Sequence, residues 1–220
     1  KGFVRYGKRL YRVMGERATA SAGAVVAHHS APLGMVVRRL REAEQRAKNL
    51  GGRNAFALTI IKRSGGAVEL TAPWFRDDRK PERLDENPMG ILIRLRDAFA
   101  SVGLSRRAAY LLQDWMRQLP AAQLFAQRPG EYQSMLARTL EYQLGRQSGE
   151  DKFTTSLGTA LAALATSDRI AGMLDREKPR QPTDFISTFL AVSEFLAREG
   201  RTRTASREGR ENRREEAVHA

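Results

Sequence analysis

Residues 54–62 alternate in the manner of a β-strand yet are apolar on both faces, with Phe56, Leu58 and Ile60 on one and Ala55, Ala57, Thr59 and Ile61 on the other. Such a strand has to be covered on both sides, because neither face offers water a row of polar side chains. The flanking segments place it in a β-α-β-β order. Residues 20–28, with Val25 and Val26 central, form a small-residue apolar run of strand length. Ser30-Ala31-Pro32 reads as a helix start, with Ser30 near the N-cap and Pro32 in the first turn. The helix is expected to run to Leu50. Leu33, Val36, Val37, Leu40, Ala43 and Ala47 make its inward stripe, Arg38, Arg39, Arg41, Glu42 and Glu44 turn outward, and Gly51-Gly52 ends it. Ser64-Gly65-Gly66 is a hairpin signal, after which Val68, Leu70 and Trp74 continue the return strand. A unit of about 70 residues is too little to stand alone as a sheet with two covered faces.

The remainder of the chain is helical in pattern. Residues 76–88 are charged and punctuated by proline, as a linker would be. Beyond them come five apolar stripes at helical spacing: Ile91, Leu92, Leu95, Phe99, Val102; Ala108, Leu111, Leu112, Trp115, Met116, Leu119; Tyr132, Met135, Leu136, Leu140; Phe153, Leu157, Ala160, Leu161, Leu164; and Phe185, Ile186, Phe189, Leu190, Val192, Phe195, Leu196. Pro120, Pro129, Pro179 and Pro182 fall between stripes, where a bundle needs breaks. Residues 201–220 mix charges without a stripe and read as a loose arm. The expected organisation is α+β: a β-α-β-β unit within 1–75, a linker at 76–88, a helical bundle over 89–200 and a charged, flexible tail at 201–220.

Charge narrows the function. The net +13 is uneven: residues 1–50 carry +8 and residues 72–200 only +1. The first third is therefore the part to point at phosphate. The absence of cysteine excludes a disulfide framework, a thiolate nucleophile and a Cys-type zinc site, and fits a reducing, cytoplasmic setting. No apolar run reaches the roughly 18 residues of a membrane span. The first 17 residues are basic and carry no apolar signal segment, and residue 1 is Lys, so the chain reads as processed or as a piece of something longer.

Few residues suggest chemistry on their own. His28 and His29, adjacent on an expected strand, would point to opposite faces and read as hydrogen-bonding groups, not as metal ligands. Asp77-Asp78 sits among Arg76, Arg79 and Lys80, which oppose a dication. More specific is an order spread over 21–65: Ser21-Ala22-Gly23 opening a strand, a helix ending Ala47-Lys48, then Gly52-Arg53-Asn54 opening the next strand. An ammonium at a helix end and a guanidinium beside a glycine turn can converge on a polyphosphate, and Gly23 would let a base or ribose approach the backbone.

These residues carry a resemblance. Ser21 through His29, Pro32-Leu33, Ala47-Lys48, Gly52-Arg53-Asn54-Ala55 and Lys62-Arg63-Ser64-Gly65 resemble the second palm domain of the large subunit of type III CRISPR effector complexes, the Cmr type most of all. The palm is ferredoxin-like and related to GGDEF-type nucleotide cyclases. The motif-rich likeness covers about residues 20–75, and the helical remainder agrees in order and kind with the family's C-terminal helical domain.

The resemblance implies a protein that binds ATP between two palms and makes cyclic oligoadenylate when its complex captures target RNA. Its partners would be the other subunits, guide RNA and target RNA. Carried over by position, Ser21 and Gly23 would lie by the nucleotide, Lys48 and Arg53 would face the triphosphate, and Asn54 would support the turn. The usual pattern has two residues between the Lys and the Gly of Gly-Arg-Asn; here there are three, Asn49, Leu50 and Gly51. The family's Gly-Gly-Asp-Asp hairpin, which holds magnesium, is not among these residues. ATP and Mg2+ are thus expected of the intact protein, while this stretch holds no metal site and is expected to be catalytically inactive by itself, as a C-terminal portion. Another reading makes it a non-catalytic RNA-binding and subunit-scaffold module, with Arg106 and Arg107 on the RNA. A third, a degenerate GGDEF-type signalling domain, fits less well with so long a helical segment after the palm.

Overall fold

The structure, a computed structural model, describes residues 3–6, 9–12, 19–63, 65–76, 86–101, 103–148, 151–176 and 180–218, with side chains for 19–63, 65–76, 86–101, 103–148, 156–176 and 180–200. It is α+β, a β-α-β-β unit followed by helices. Strands β1 (Phe3–Tyr6) and β2 (Arg9–Arg12) form an antiparallel pair that the sequence pattern did not reveal. A three-stranded sheet follows, ordered β3-β4-β5. Strand β3 (Ala22–Val26) is parallel to β4 (Ala55–Ile61), joined through helix α1 (Leu33–Asn49) as a parallel pair requires, and β4 turns back through a tight hairpin into antiparallel β5 (Ala67–Pro73). Gly65 and Gly66 make that hairpin with φ of 83° and 79°, which glycine adopts without a Cβ clash.

The demand set by β4 is met from two directions. Every residue from Ala55 to Ile60 is buried. Ala57 joins Ala43 and Ala47 of α1 in one cluster, while Phe56, Leu58 and Ile60 join the core of the helical part. Leu58 pairs with Leu70 and Phe56 with Ala72, so β5 adds to the same core. The helices are α2 (Pro88–Ala100), α3 (Arg107–Gln118), α4 (Pro129–Arg146), α5 (Asp151–Ala165), α6 (Asp168–Arg176) and α7 (Pro182–Val218), with a 3-10 turn at Ala122–Phe125 before α4. Both α6 and α7 lie against β5. Asn87 starts α2 by accepting the Gly90 N–H on Oδ1 at 2.7 Å, and Pro88 follows at a position where no N–H is needed.

Several expectations need correction. Ser30 does not cap α1: Pro32 takes that place, and the Ser30 N–H donates instead to His28 Nδ1 at 3.3 Å. The inward stripe of α1 narrows to Ala43 and Ala47, with Leu33, Val37 and Leu40 exposed. The cause is how closely α1 lies on β3. A Cβ on Gly23 would stand 2.5 Å from the backbone nitrogen of Glu44, so only small residues fit the interface. The 17 residues of α1 span about 25 Å against about 17 Å for the five of β3, and the helix outruns its cover. On α3, Leu111 and Trp115 face solvent instead of the core, which takes Ala108, Ala109, Leu112 and Met116. Helix α6, with Ile170, Met173 and Leu174 buried, had escaped the reading of stripes. The charged arm is backbone helix to Val218, continuous with α7. Asp77, Asp78 and most of the linker, together with Val102, lie outside the described residues.

Tyr132 on α4 is buried with its ring 5.4 Å from that of Phe125, and its hydroxyl has no hydrogen-bond partner among the described residues. Burial, and then the charge of Asp184, push its phenol up to about 12. The unfolded phenol ionises near 10 and the folded one two units higher, so this group costs stability as pH rises from 10 towards 12. Tyr132→Phe is expected to leave stability at neutral pH unchanged or raise it by up to about 1 kcal/mol. It should also flatten the alkaline loss, as read by urea unfolding at pH 8 and pH 11.

Candidate functional site

The carboxyl end of α1 is where sequence and fold converge. Gly52 is left-handed at φ 68°, and the Arg53 N–H donates to the Lys48 carbonyl five residues back at 3.1 Å, a Schellman closure. The chain then stays left-handed through Arg53 (φ 63°) and Asn54 (φ 47°) before β4 begins. A residue with a Cβ costs about 1–2 kcal/mol in that region, so the surroundings must hold the turn.

They do so through four carbonyls. Arg176 Nη1 donates to the Leu50 carbonyl at 2.9 Å, and Arg169 Nη2 donates to the Arg53 carbonyl at 2.9 Å and stands 3.5 Å from that of Gly51. The Asn54 carbonyl accepts from the Trp74 N–H at 3.1 Å. Trp74 in turn donates Nε1–H to the Ala20 carbonyl at 2.9 Å and packs its ring 5.0 Å from Phe56. The loose end of β3, the turn before β4 and the end of β5 are thus fastened to one another.

Topology decides which sequence candidates meet. Ala22 pairs with Phe56 and Gly23 with Ala57 in parallel register, so the amino ends of β3 and β4 stand side by side. Ser21, half-buried just before β3, shares that end of the sheet with Arg53, while Lys48 lies in the last turn of α1. Gly23 plays a different part from the one expected. The space its missing side chain leaves is filled by the backbone of Ala43 and Glu44, so it permits helix packing and not the approach of a base or ribose from that side.

The charges at this end are mainly positive. Arg53 is exposed, with no described partner for its side chain. Lys48 is exposed too, and its Nζ lies 2.6 Å from Glu44 Oε1. The hydrogen bond from Lys48, and then its charge, hold the Glu44 carboxyl below its ordinary value. Arg169 and Arg176 thus hold carbonyls of the turn that carries Arg53, and Lys48 lies in the last turn of α1 before it. The same donors do not suit magnesium, since Glu44 is taken by Lys48, and no group of three candidate metal ligands occurs among the described residues.

Sequence reasoning missed Arg169 and Arg176. Their signal was a seven-residue spacing, two helical turns, on a short amphipathic segment, which puts both on one side of α6. The other candidates lie elsewhere. His28 and His29 stack on each other beyond β3 with ring centroids 4.2 Å apart, instead of pointing to opposite faces. Arg106 and Arg107 are exposed at the start of α3. Arg117, Arg128 and Arg146 are engaged by Asp114, Glu131 and Tyr142, three or four residues away, and Arg94 Nη2 donates to Ser156 Oγ at 3.2 Å.

Residues 4–57, about a quarter of the chain, match the family model described as Cas10/Cmr2, second palm domain. The matched stretch contains Ser21, Gly23, Lys48 and Arg53 and excludes Arg169 and Arg176. No curated protein and no solved structure gives a match.

The pairing of Lys48 with Glu44 has a direct readout. The carboxyl carbon of Glu44, followed by NMR through acid pH, should titrate below the ordinary glutamate value, and Lys48→Ala should return it to that value. The stabilisation this pair supplies is present above the unfolded glutamate pKa and fades as pH falls through the folded one.

Proposed function

We propose that the chain is part of a Cas10/Cmr2 protein, the large subunit of type III CRISPR effector complexes, as the match of residues 4–57 to the second palm domain supports, and that it contributes half of an ATP-binding palm for cyclic oligoadenylate synthesis. What supports this is that Ser21 and Arg53 precede adjoining ends of the parallel strands β3 and β4 and Lys48 lies in the last turn of α1, all inside the matched segment. Lys48 and Arg53 bind the triphosphate, Ser21 lies by the adenosine, and Asn54 completes the turn that aims Arg53. In the full reaction a 3′-hydroxyl attacks the α-phosphate of the next ATP and pyrophosphate leaves. This chain's part is to neutralise and orient the phosphates. Magnesium, when bound, would activate the attacking hydroxyl and stabilise the leaving pyrophosphate. Its carboxylate ligands are not supplied by the residues gathered here.

Helices α2 to α7 are the assembly side of the proposal, contacting other subunits and the guide–target RNA. A specific observation favours some RNA contact by the helical part. Arg106 and Arg107 stand exposed at a helix start, where the helix dipole disfavours cations, beside exposed Tyr110 and Trp115. In this second reading the chain is a scaffold that binds RNA without catalysis.

Two binding experiments test the readings. Calorimetry with ATP should show binding that weakens about tenfold in Lys48→Ala and in Arg53→Ala, the loss of one charge-assisted contact each. No binding by the unaltered chain, or binding by both variants as tight as that of the unaltered chain, rejects the nucleotide reading. Arg106→Glu with Arg107→Glu should weaken binding to single-stranded RNA and flatten its salt dependence by about two charges. Unchanged affinity rejects that placement.

A further inference from the structure

Several arginines of the helical part that have no carboxylate partner alternate with exposed aromatic rings. On α4, Arg138, Tyr142 and Arg146 follow one another at four-residue spacing, which makes them a row along one side of the helix, and all three are exposed. The Arg146 guanidinium stands 5.7 Å from the centroid of the Tyr142 ring, a contact that leaves its charge uncancelled. On α3, Arg107, Leu111 and Trp115 repeat the spacing, and Arg106, just before the helix, precedes Tyr110 by one turn. Tyr110 and Tyr142 are each 62% exposed and Trp115 is 45% exposed. The backbone joins the two helices. The Ser105 N–H donates to the Gln147 carbonyl at 3.1 Å, and Leu104 pairs with Ser148 in an antiparallel bridge, so the end of α4 adjoins the start of α3. Arg106 and Arg146 are the chain neighbours of those bonded residues. The acidic side chains of the two helices are engaged elsewhere: Asp114 faces Arg117 at 3.5 Å, Glu131 faces Arg128 at 3.1 Å, and Glu141 accepts from Thr159 of α5. Among the described residues, none of Arg106, Arg107, Arg138 and Arg146 has a carboxylate within ion-pair distance.

Four positive charges with nothing opposing them call for an anionic partner, and three exposed rings call for one with flat faces. An unpaired RNA strand offers both, phosphates to the guanidinium groups and bases to the rings. A duplex offers phosphates alone, because its bases are stacked on one another, and an acidic polypeptide offers carboxylates without a succession of flat rings. Resting on the RNA reading of the helical part, we infer that the exposed rows of α3 and α4 form a platform for single-stranded RNA. Tyr110, Trp115 and Tyr142 stack on bases, and Arg106, Arg107, Arg138 and Arg146 hold the phosphates. The RNA reading by itself requires only the two cations at the start of α3. The platform adds the rings, the row on α4 and a preference for unpaired strand.

The test separates rings from charges. Fluorescence anisotropy follows a labelled oligouridylate, and a labelled RNA duplex of equal length, binding to the 220-residue chain. The single strand should bind the more tightly of the two. Tyr110→Ala, Trp115→Ala and Tyr142→Ala should each weaken it about five- to tenfold, with salt dependence and duplex affinity unchanged. Phe at each of these positions should restore most of the affinity, which distinguishes loss of a ring from loss of the fold. Arg138→Gln and Arg146→Gln should each flatten the salt dependence by about one charge. Binding should also quench Trp115 fluorescence, a change that Trp115→Phe abolishes while Trp74 remains. Ala variants that bind the single strand as tightly as the unaltered chain, while Arg106→Glu with Arg107→Glu weakens it, overturn the platform and leave the RNA reading standing. A duplex bound as tightly as the single strand does the same. Polyglutamate that displaces the single strand as well as unlabelled oligouridylate does assigns the surface to an acidic protein and overturns the platform. Failure of the unaltered chain to bind either RNA overturns both.

Discussion

The two-sided burial of β4 is the constraint on which the rest of this structure depends. Six consecutive residues, Ala55 to Ile60, are removed from water, and no single layer can do that to a strand. Phe56, Leu58 and Ile60 each contribute about 2 kcal/mol by burial, and they reach it only because helices arriving after residue 88 close over them. On the other face the contact is made by small residues. Ala43, Ala47, Ala57 and Gly23 let α1 lie against β3 and β4 so closely that no side chain could be inserted. Sheet and helices thus share one core, although their sequence patterns are of different kinds.

That shared core is what brings α6 to the end of α1. With α6 and α7 packed on β5, Arg169 and Arg176 arrive at carbonyls that the Schellman closure of α1 leaves open. Arg46 ties α1 to the sheet from the same helix face, donating to Thr59 Oγ1 and pairing with Glu69 at 3.1 Å. The turn carrying Arg53 is therefore held from three directions: by the end of its own helix, by Trp74 at the end of β5 and by α6.

Much of the fold was legible because periodicity survives translation from sequence to structure. The alternation at 54–62 gave β4, the glycines after Ile61 gave the hairpin, and stripes such as Leu92-Leu95-Phe99 gave the helices. Legibility failed where burial depends on a neighbour. The stripe from Leu33 to Leu40 on α1 has the right spacing, but nothing among the three strands extends far enough to cover it. Leu111 and Trp115 have helical spacing too and face solvent, because α3 offers its core only a narrow arc centred on Leu112 and Met116. Helix α6 was invisible for the opposite reason: nine residues carry too few apolar positions to declare a period.

The candidate site divides in the same way. The sequence by itself determined the β-α-β-β order, the glycine turn that closes α1 and the chemical identity of Lys48 and Arg53, since each follows from local spacing and from what a backbone can do without a Cβ. It also determined that β4 had to be covered on both faces. Only the tertiary structure decided that Gly23 serves helix packing, that Lys48 rests on Glu44, and that Arg169 and Arg176, more than a hundred residues away in sequence, cap the carbonyls of that turn. Hydrogen bonds and charges act over a few ångströms of space, and the chain separation between these groups carries no trace of which carbonyl a guanidinium will reach.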